Sequence, residues 1–387
     1  KLCPKKFQER NPSHRDLAQG SNTRQGIVMP RTSMMSIVLC LTVFLHLKCK
    51  EDLPPDVPPE PSHPTITWIA DTIRNPYQGA QLLLRSIWGS DTNNVYAAGH
   101  NEVGGRASLY HYDGNKWSPV TITRGEGGFI NSYVGFSKIE GSGKNDVWAV
   151  GYRGGYYGVS GDSSLVLHFN GSSWTEVAME RCKDGIQGIK VVAPMDVYFS
   201  GSHGEIIHYD GTSFTKTVLD TNLSLQIGGD AQRMFVGGRA LGLSLNNYYC
   251  VYSKERSGAW SLITKTTEME YYKKKNYGLY VFNPWSGGRY FAGGEGIYSI
   301  TDTTWQTSYD KETIPFLFMD GTSSSNIFAV SPYSRIMHWN GVEWKAVNTP
   351  DGVEQNKYLW DLWVKGSSIY VIYRYSFDTN IIYRGRY

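Results

Sequence analysis

The sequence has few charged residues and no long hydrophobic run. Only 19% of its 387 residues are Asp, Glu, Lys or Arg, and its longest apolar stretch is far short of the roughly 20 residues that a membrane-spanning helix needs. An aromatic content of 14% excludes an intrinsically disordered chain and a long coiled coil. With 42 Gly, 27 Tyr and 12 Trp, the composition is typical of many short strands joined by tight turns.

A basic surface for nucleic acid is also missing. The formal net charge is +3, but residues 1–48 hold eight Lys or Arg against two acids, which leaves 30 basic and 33 acidic residues in the remainder. A slightly acidic body cannot supply the counterion release that drives nucleic-acid binding. We therefore exclude nucleic acid as a partner.

Sequence motifs for metals, cofactors and common hydrolases are absent. The five Cys residues form no CxxC pair and no His-Cys cluster of the kind that binds zinc. The sequence does not decide whether Cys182 and Cys250 form a disulfide, because sequence alone does not give the geometry that the bond needs. There is no nucleophile elbow and no phosphate-binding loop. We expect no metal and no cofactor.

The amino-terminal region reads as an export signal. An apolar run at 34–45 follows Arg31 and has signal-peptide proportions, so we expect residues 1–28 to be untranslated or disordered and residues 29–48 to be a signal peptide. Cys49 then stands where a bacterial lipoprotein carries its lipid, and 49–64 forms a Pro-rich linker. The expected location is the outer membrane or cell surface, with plain secretion as the alternative.

A repeat organises the rest of the chain. An alternating segment of the form (D/N)V(W/Y)AVG recurs, followed by a segment of the form LxHxDGxxW. The clearest copies are NNVYAAGH (93–100) with SLYHYDGNKW (108–117), NDVWAVGY (145–152) with LVLHFNGSSW (165–174), MDVYFSGS (195–202) with EIIHYDGTSF (205–214), and SNIFAVSP (325–332) with RIMHWNGVEW (335–344). Each copy predicts four strands, with DG or NG as a hairpin turn.

The spacing of the copies predicts a β-propeller. The outer aromatic residues from Trp117 to Trp344 are separated by 57, 40, 46, 45 and 39 residues, which suits propeller blades. The last copy, SSIYVIYR with NIIYRGRY, stops after its third strand, while TITWIADTI (65–73) resembles an unattached outer strand. We predict one all-β domain over 65–387, a seven-bladed β-propeller whose ring is closed when the strand 65–73 joins the carboxy-terminal blade.

The repeat resembles that of bacterial secreted and lipoprotein β-propellers, many of uncertain function. The resemblance covers nearly the whole chain after the linker. It implies a fold rather than an activity, because repeat proteins keep the residues that hold blades together and vary their loops.

Two recurring residue types are expected to be structural. His111, His168, His208 and His338 occupy the same place in separate blades, so they do not converge on one site. Asp113, Asn170, Asp210 and Asn340 precede Gly in the hairpin turns, where their side chains can bond the turn backbone.

The variable loops between second and third strands, and those between blades, are the expected binding surface. They are rich in aromatic and Gly residues, and exposed rings suit both sugars and peptide segments. The candidate ligand-binding residues are Tyr152, Arg153, Tyr156, Tyr157, Tyr271, Tyr272, Lys273, Tyr277, His203, Glu205, Tyr333, Arg335, Tyr373 and Arg374.

The leading functional hypothesis is a non-enzymatic, surface-anchored module. It would be a monomer that touches the membrane only through its lipid and binds a glycan or an envelope protein. The alternative is a carbohydrate-active enzyme, a glycosidase or lyase, with a carboxylate site at the central channel and Glu102, Glu126, Glu205 or Glu295 as its acids. A structural envelope protein is the third possibility, and the sequence names no catalytic residue.

Overall fold

The structure is a computed structural model, and it describes most of the chain after the Pro-rich linker. The described residues are 62–77, 79–101, 108–122, 134–153, 163–240, 248–267, 290–294, 296–301, 304–309, 315–354 and 357–387. The expected signal peptide, Cys49 and nearly all of the linker lie outside them. In this part of the chain no helix is long and apolar enough to cross a membrane.

The described residues form 27 strands. In chain order they are β1 (Thr67–Arg74), β2 (Leu82–Asp91), β3 (Asn94–Asn101), β4 (Leu109–Tyr112), β5 (Trp117–Pro119), β6 (Val134–Gly143), β7 (Asp146–Arg153), β8 (Ser163–Phe169), β9 (Trp174–Glu176), β10 (Ile186–Ala193), β11 (Asp196–Gly201), β12 (Glu205–Tyr209), β13 (Phe214–Val218), β14 (Leu223–Gly229), β15 (Arg233–Ala240), β16 (Tyr248–Glu255), β17 (Ser261–Thr267), β18 (Tyr290–Gly294), β19 (Gly296–Thr301), β20 (Thr304–Tyr309), β21 (Phe318–Ser323), β22 (Asn326–Val330), β23 (Ile336–Trp339), β24 (Trp344–Ala346), β25 (Leu359–Lys365), β26 (Ser368–Arg374) and β27 (Thr379–Arg386).

These strands pair into antiparallel sheets that follow the sequence repeat. Four sheets have four strands each, β10–β13, β14–β17, β21–β24 and the sheet ordered β1-β27-β26-β25. A further sheet contains the three strands β18–β20, and one sheet contains the eight strands β2–β9. The eight-stranded sheet consists of two four-stranded units joined by a single residue pair, His100 with Gly135. The described strands therefore do not appear as seven separate four-stranded blades.

The hairpin turn between the third and fourth strands has the predicted chemistry. The Asp113 carboxylate accepts hydrogen bonds from the backbone N–H of Asn115 and Lys116, both at 2.9 Å, and Gly114 follows with a φ of 93°. Only Gly adopts such a φ without strain. The turns at Asn170, Asp210 and Asn340 repeat this arrangement.

The recurring histidines are structural, as expected. His168 stacks on Trp148 with ring centroids 4.1 Å apart, and its Nε2 lies 2.7 Å from Asp146 at the start of the second strand. His111, His208 and His338 make the same two contacts with the corresponding aromatic and Asp or Asn residues. The motif (D/N)V(W/Y) is thus explained by a contact inside each blade.

The first strands of successive sheets pack around a centre, as in a β-propeller. β2 contacts β6 and β25, β10 contacts β6 and β14, and β21 contacts β25. Trp side chains fill the seams between neighbouring first strands. A Cβ added at Gly89 would lie 2.8 Å from Trp363, and one at Gly141 would lie 2.7 Å from Trp88. Close packing therefore explains why Gly is needed at these positions.

The amino-terminal strand completes the last sheet. β1 pairs antiparallel with β27 from Thr67 opposite Arg386 to Arg74 opposite Thr379. On this strand, Asp71 accepts two hydrogen bonds from Arg384, at 2.6 and 3.0 Å, and one from the Trp117 indole of the neighbouring sheet, at 3.0 Å.

The two cysteines of the described chain are buried free thiols. Burial raises the pKa of Cys182 to about 12 and that of Cys250 to about 11. The disulfide that the sequence left open does not form.

Candidate functional site

Several predicted loop residues fall outside the described part of the chain. They are Tyr156, Tyr157, Tyr271, Tyr272, Lys273 and Tyr277. Their role in binding stays a prediction.

Tyr152 and Arg153 lie at the end of β7, where both are already engaged. The Tyr152 side chain covers two glycines, because a Cβ at Gly135 or Gly185 would lie 2.4 or 2.6 Å from it. The Arg153 guanidinium pairs with Glu176 at 2.7 Å. These two side chains therefore hold the loop between neighbouring sheets.

His203 and Glu205 form a local network at the turn between β11 and β12. The Glu205 carboxylate is buried and accepts a hydrogen bond from the His203 backbone N–H at 2.8 Å. The His203 ring lies 2.7 Å from Asp184. Glu205 is bonded within its own turn, and the His203 ring contacts the neighbouring connections at Asp184 and Thr221, which favours a structural role for both.

The remaining candidates lie on the last two sheets. Tyr333 is 50% exposed, whereas Tyr373 is completely buried and its hydroxyl accepts a hydrogen bond from the Glu354 N–H at 3.1 Å. Arg335 is exposed. The Arg374 guanidinium lies over the Trp360 ring, 4.2 Å from its centroid. Tyr373 thus belongs to the core, and the other three reach the surface.

Tyr333 is one of four exposed rings in the connections of these two sheets, and Arg335 and Arg374 are close to them in the sequence. Among the described residues, the aromatic side chains that count as exposed are Tyr333, Tyr358, Tyr375 and Phe377, each about half exposed. We call these four residues the aromatic patch. It lies at the end of the sheets that carries the connections between second and third strands. This is the face that the sequence predicted as the binding surface.

Backbone contacts hold the aromatic patch together. The Ser334 hydroxyl donates to the carbonyl oxygen of Lys357 at 3.0 Å, and the Lys357 ammonium donates to the carbonyl oxygen of Tyr375 at 2.8 Å. Ser334 itself has a φ of 63°, an uncommon value for a residue with a side chain. Such backbone strain is found at binding sites more often than elsewhere.

A second feature lies at the centre of the ring, where the enzyme alternative placed a carboxylate site but named none of the acids that the structure places there. A cavity of about 590 Å³ is lined by first-strand residues from β2, β6, β10, β14, β21 and β25, and it extends to the turns that join first and second strands. This is the end of the sheets opposite the aromatic patch.

Two ion pairs line the cavity. Lys138 on β6 pairs with Asp361 on β25 at 2.9 Å, and the Lys138 ammonium lies 5.0 Å from the centroid of the Phe318 ring of β21. Nearer the turns, Lys190 pairs with Glu140 at 2.7 Å. Burial alone would lower the pKa of Lys190, but Glu140 outweighs it and the pKa is raised.

Asp320 is the third acidic side chain of the cavity. One carboxylate oxygen accepts a hydrogen bond from the Val364 N–H at 2.6 Å. Burial raises the pKa of Asp320 to about 7, against the opposing effects of the backbone N–H donors and of Lys190. A carboxyl group that titrates near neutral pH inside a cavity is a recognised mark of a functional site.

Of the glutamates of the enzyme alternative, the structure describes only Glu205. Glu102, Glu126 and Glu295 lie outside the described residues, and Glu205 is bound within its own turn. Across the described ranges, no group of three or more His, Cys, Asp or Glu side chains could hold a metal ion.

Comparisons with solved structures show the fold. YCF48 bound to a D1 peptide matches with a TM-score of 0.54 at 13% identity, over 81% of this chain and 96% of that one. YCF48 from Cyanidioschyzon merolae gives the same score and identity, over 81% and 98%. The extracellular domain of a protein assigned to the hybrid two-component systems of B. thetaiotaomicron matches with a TM-score of 0.53 at 11% identity, over 81% of this chain and 39% of that one.

These neighbours are β-propellers, so the chain has an all-β propeller fold. At such low identities the likeness extends to the fold alone. No family model matches the sequence, and no curated protein matches it.

Proposed function

We propose that this chain is a non-enzymatic interaction module that binds a protein segment or a glycan on the aromatic patch. The observation that carries the proposal is that the four exposed aromatic side chains of the described chain all lie in connections at one end of two neighbouring sheets, and that hydrogen bonds from Ser334 and Lys357 join these connections. Exposed apolar side chains in such an arrangement mark an interaction site in many proteins. The peptide bound by the neighbour YCF48 is in keeping with this class of function.

The chemistry of the aromatic patch suits an extended ligand. Exposed rings supply apolar contact area at a low cost in side-chain entropy. Arg335 and Arg374 stand beside them as hydrogen-bond donors, and the Ser334 and Lys357 contacts fix the two loops that carry the rings. The ligand would therefore meet a preformed surface, which lowers the entropic cost of binding.

We propose seven blades for the ring. The eight-stranded sheet counts as two blades, since β3 and β6 share one residue pair, and the three-stranded sheet β18–β20 counts as one. The pairing of β1 with β27 supports closure of the ring by the amino-terminal strand.

Export and lipidation of Cys49 belong to the same proposal. The extracellular neighbour and the apolar run at 34–45 support export. Changing Cys49 to Ser should release the protein from membranes, whereas unchanged membrane association would contradict lipidation.

The binding proposal is tested by screening for ligands that bind the intact chain. A peptide display library and a glycan array are screened with the full chain and with a variant carrying Tyr333→Ala, Tyr375→Ala and Phe377→Ala. We expect ligands that bind the full chain and lose at least tenfold in affinity for the variant, since buried aromatic anchors dominate such interfaces. Hits among peptides or among saccharides identify the ligand class.

A matched control removes exposed apolar side chains elsewhere. Ile69 and Leu262 are also about half exposed, and the double variant Ile69→Ala, Leu262→Ala should bind as the parent does. Ligands that bind the aromatic-patch variant as well as the parent would overturn the proposal.

A further inference from the structure

The central cavity has the size of a ligand site. Its volume of about 590 Å³ falls within the range of about 300–1,000 Å³ that is usual for small-molecule pockets. The Lys138–Asp361 pair lies at one end of the cavity, and the turns between first and second strands lie at the other. We call this cavity the cup; it reaches the face of the sheets opposite the aromatic patch.

The charges of the cup are matched with one exception. Lys138 is paired with Asp361, and Lys190 is paired with Glu140. Within the described residues no Lys or Arg side chain pairs with Asp320, which instead accepts the Val364 N–H. Lys365, the remaining charged side chain of the lining, is exposed at the rim.

We propose that the cup binds a ligand through a primary ammonium or guanidinium group, which pairs with the carboxylate of Asp320. Such a cation supplies the direct ion pair that Asp320 does not form with any described residue, since Lys190 acts on its charge without pairing with it. A guanidinium or ammonium bonded to a carboxylate is among the stronger hydrogen-bonded pairs. Trp88 and Trp363 also line the cup, so that apolar surface surrounds the charged contact.

An anionic ligand fits the cup less well. Away from the rim residue Lys365, it would have to draw Lys138 or Lys190 from its acid. Loss of Lys138 would leave Asp361, which is 2% exposed, as an uncompensated buried charge. Breaking a buried pair in this way is strongly unfavourable. Asp361 also accepts hydrogen bonds from the backbone N–H of Ile87 and of Leu362, so its position is fixed by the strands.

Binding should depend on pH in a defined direction. The charged groups that line the cup with Asp320 are Lys190, Glu140, Asp361, Lys138 and the rim residue Lys365, and the Tyr387 hydroxyl outside the lining also interacts with Asp320. Asp320 is half-ionised near pH 7, and a cation binds the ionised form. Affinity should therefore rise about tenfold from pH 6 to pH 8, and binding at pH 7 should release about half a proton.

The test is titration calorimetry on the full chain with three amines. Spermidine and L-arginine ethyl ester represent free small molecules, and the blocked peptide Ac-Gly-Gly-Arg-Gly-Gly-amide represents a side chain carried by a partner. Sodium acetate is the anionic control. We expect saturable binding of at least one amine, at least tenfold weaker for Asp320→Asn and unchanged for Asp351→Asn, an exposed acid outside the cup.

A measurement on the unaltered chain covers the case in which Asp320→Asn fails to fold. Titrations at pH 7 in phosphate and in HEPES buffer, which differ in ionisation enthalpy, report the proton released on binding. Absence of saturation by all three amines, equal affinity for Asp320→Asn, or amine binding without proton release would overturn the proposal. The aromatic-patch variant should bind amines normally, so failure here is separable from failure of the proposed interaction surface.

Discussion

Replacing Asp320 by Asn should change how the stability of the protein depends on pH. The amide oxygen of the introduced side chain can still accept the Val364 N–H, so that the main loss is the titration of the carboxyl group. In the folded protein burial raises the pKa of Asp320 from 3.8 to about 7. The folded state therefore holds this proton more tightly than the unfolded state, and the contribution of Asp320 to stability falls as pH rises from about 4 through 7.

The size of the effect follows from these two pKa values. Between pH 5 and pH 8 the parent should lose about 2.5 kcal/mol of unfolding free energy relative to Asp320→Asn. This is an upper figure, because water entering the cup screens the charge. Urea unfolding of both proteins at pH 5, 6, 7 and 8 measures it, and the other titrating groups cancel in the difference. A flat difference, or one that grows in favour of the parent with pH, would refute the argument that Asp320 is neutral below pH 7.

Two further predictions concern the frame of the ring. Asp71→Ala should lower the unfolding free energy by about 2–4 kcal/mol, because it leaves the half-buried Arg384 without its carboxylate partner; the exposed Asp351→Ala should change urea unfolding by less than about 0.5 kcal/mol. Cys182 and Cys250 should resist a thiol reagent at pH 8 in the folded protein, since burial raises both pKa values, and react fully in denaturant. Fast reaction of the folded protein would contradict their burial.

Much of the blade structure could be predicted because each blade is held by local contacts. The Asp or Asn that begins a second strand and the His of the third strand are 12–22 residues apart in the chain and bond directly, as Asp196 with His208 and Asp146 with His168 do. Hairpin turns depend on residues two and three positions apart, such as Asp113 and Lys116. Contacts of this kind recur with the repeat and are visible in the sequence.

The polar lining of the cup could not be predicted in the same way. Lys138 and Asp361 are separated by 223 residues, and the pair occurs once rather than in every copy. Ser86, Lys138 and Asp361 occupy comparable first-strand positions, but their chemistry differs. The available sequence signal for this polar lining was a charged residue inside an otherwise apolar strand, such as Asp361 in LWDLWVK.

The burial of Tyr373 shows a second limit. Its strand, β26, is buried on both faces, so alternation of inward and outward side chains does not identify an exposed position. Two residues later, Tyr375 lies beyond the end of the strand and is exposed. Tyr358 and Phe377 were missed because they lie in connections with no repeated motif.

The central claim, that the aromatic patch is the binding surface, is tested most directly by hydrogen–deuterium exchange of the full chain with and without a selected ligand. We expect protection of the backbone amides in 331–335 and 374–378, and little change in the hairpin turns at 113–116 and 210–213. Protection confined to those turns, or to segments away from Tyr333 and Tyr375, would contradict the account.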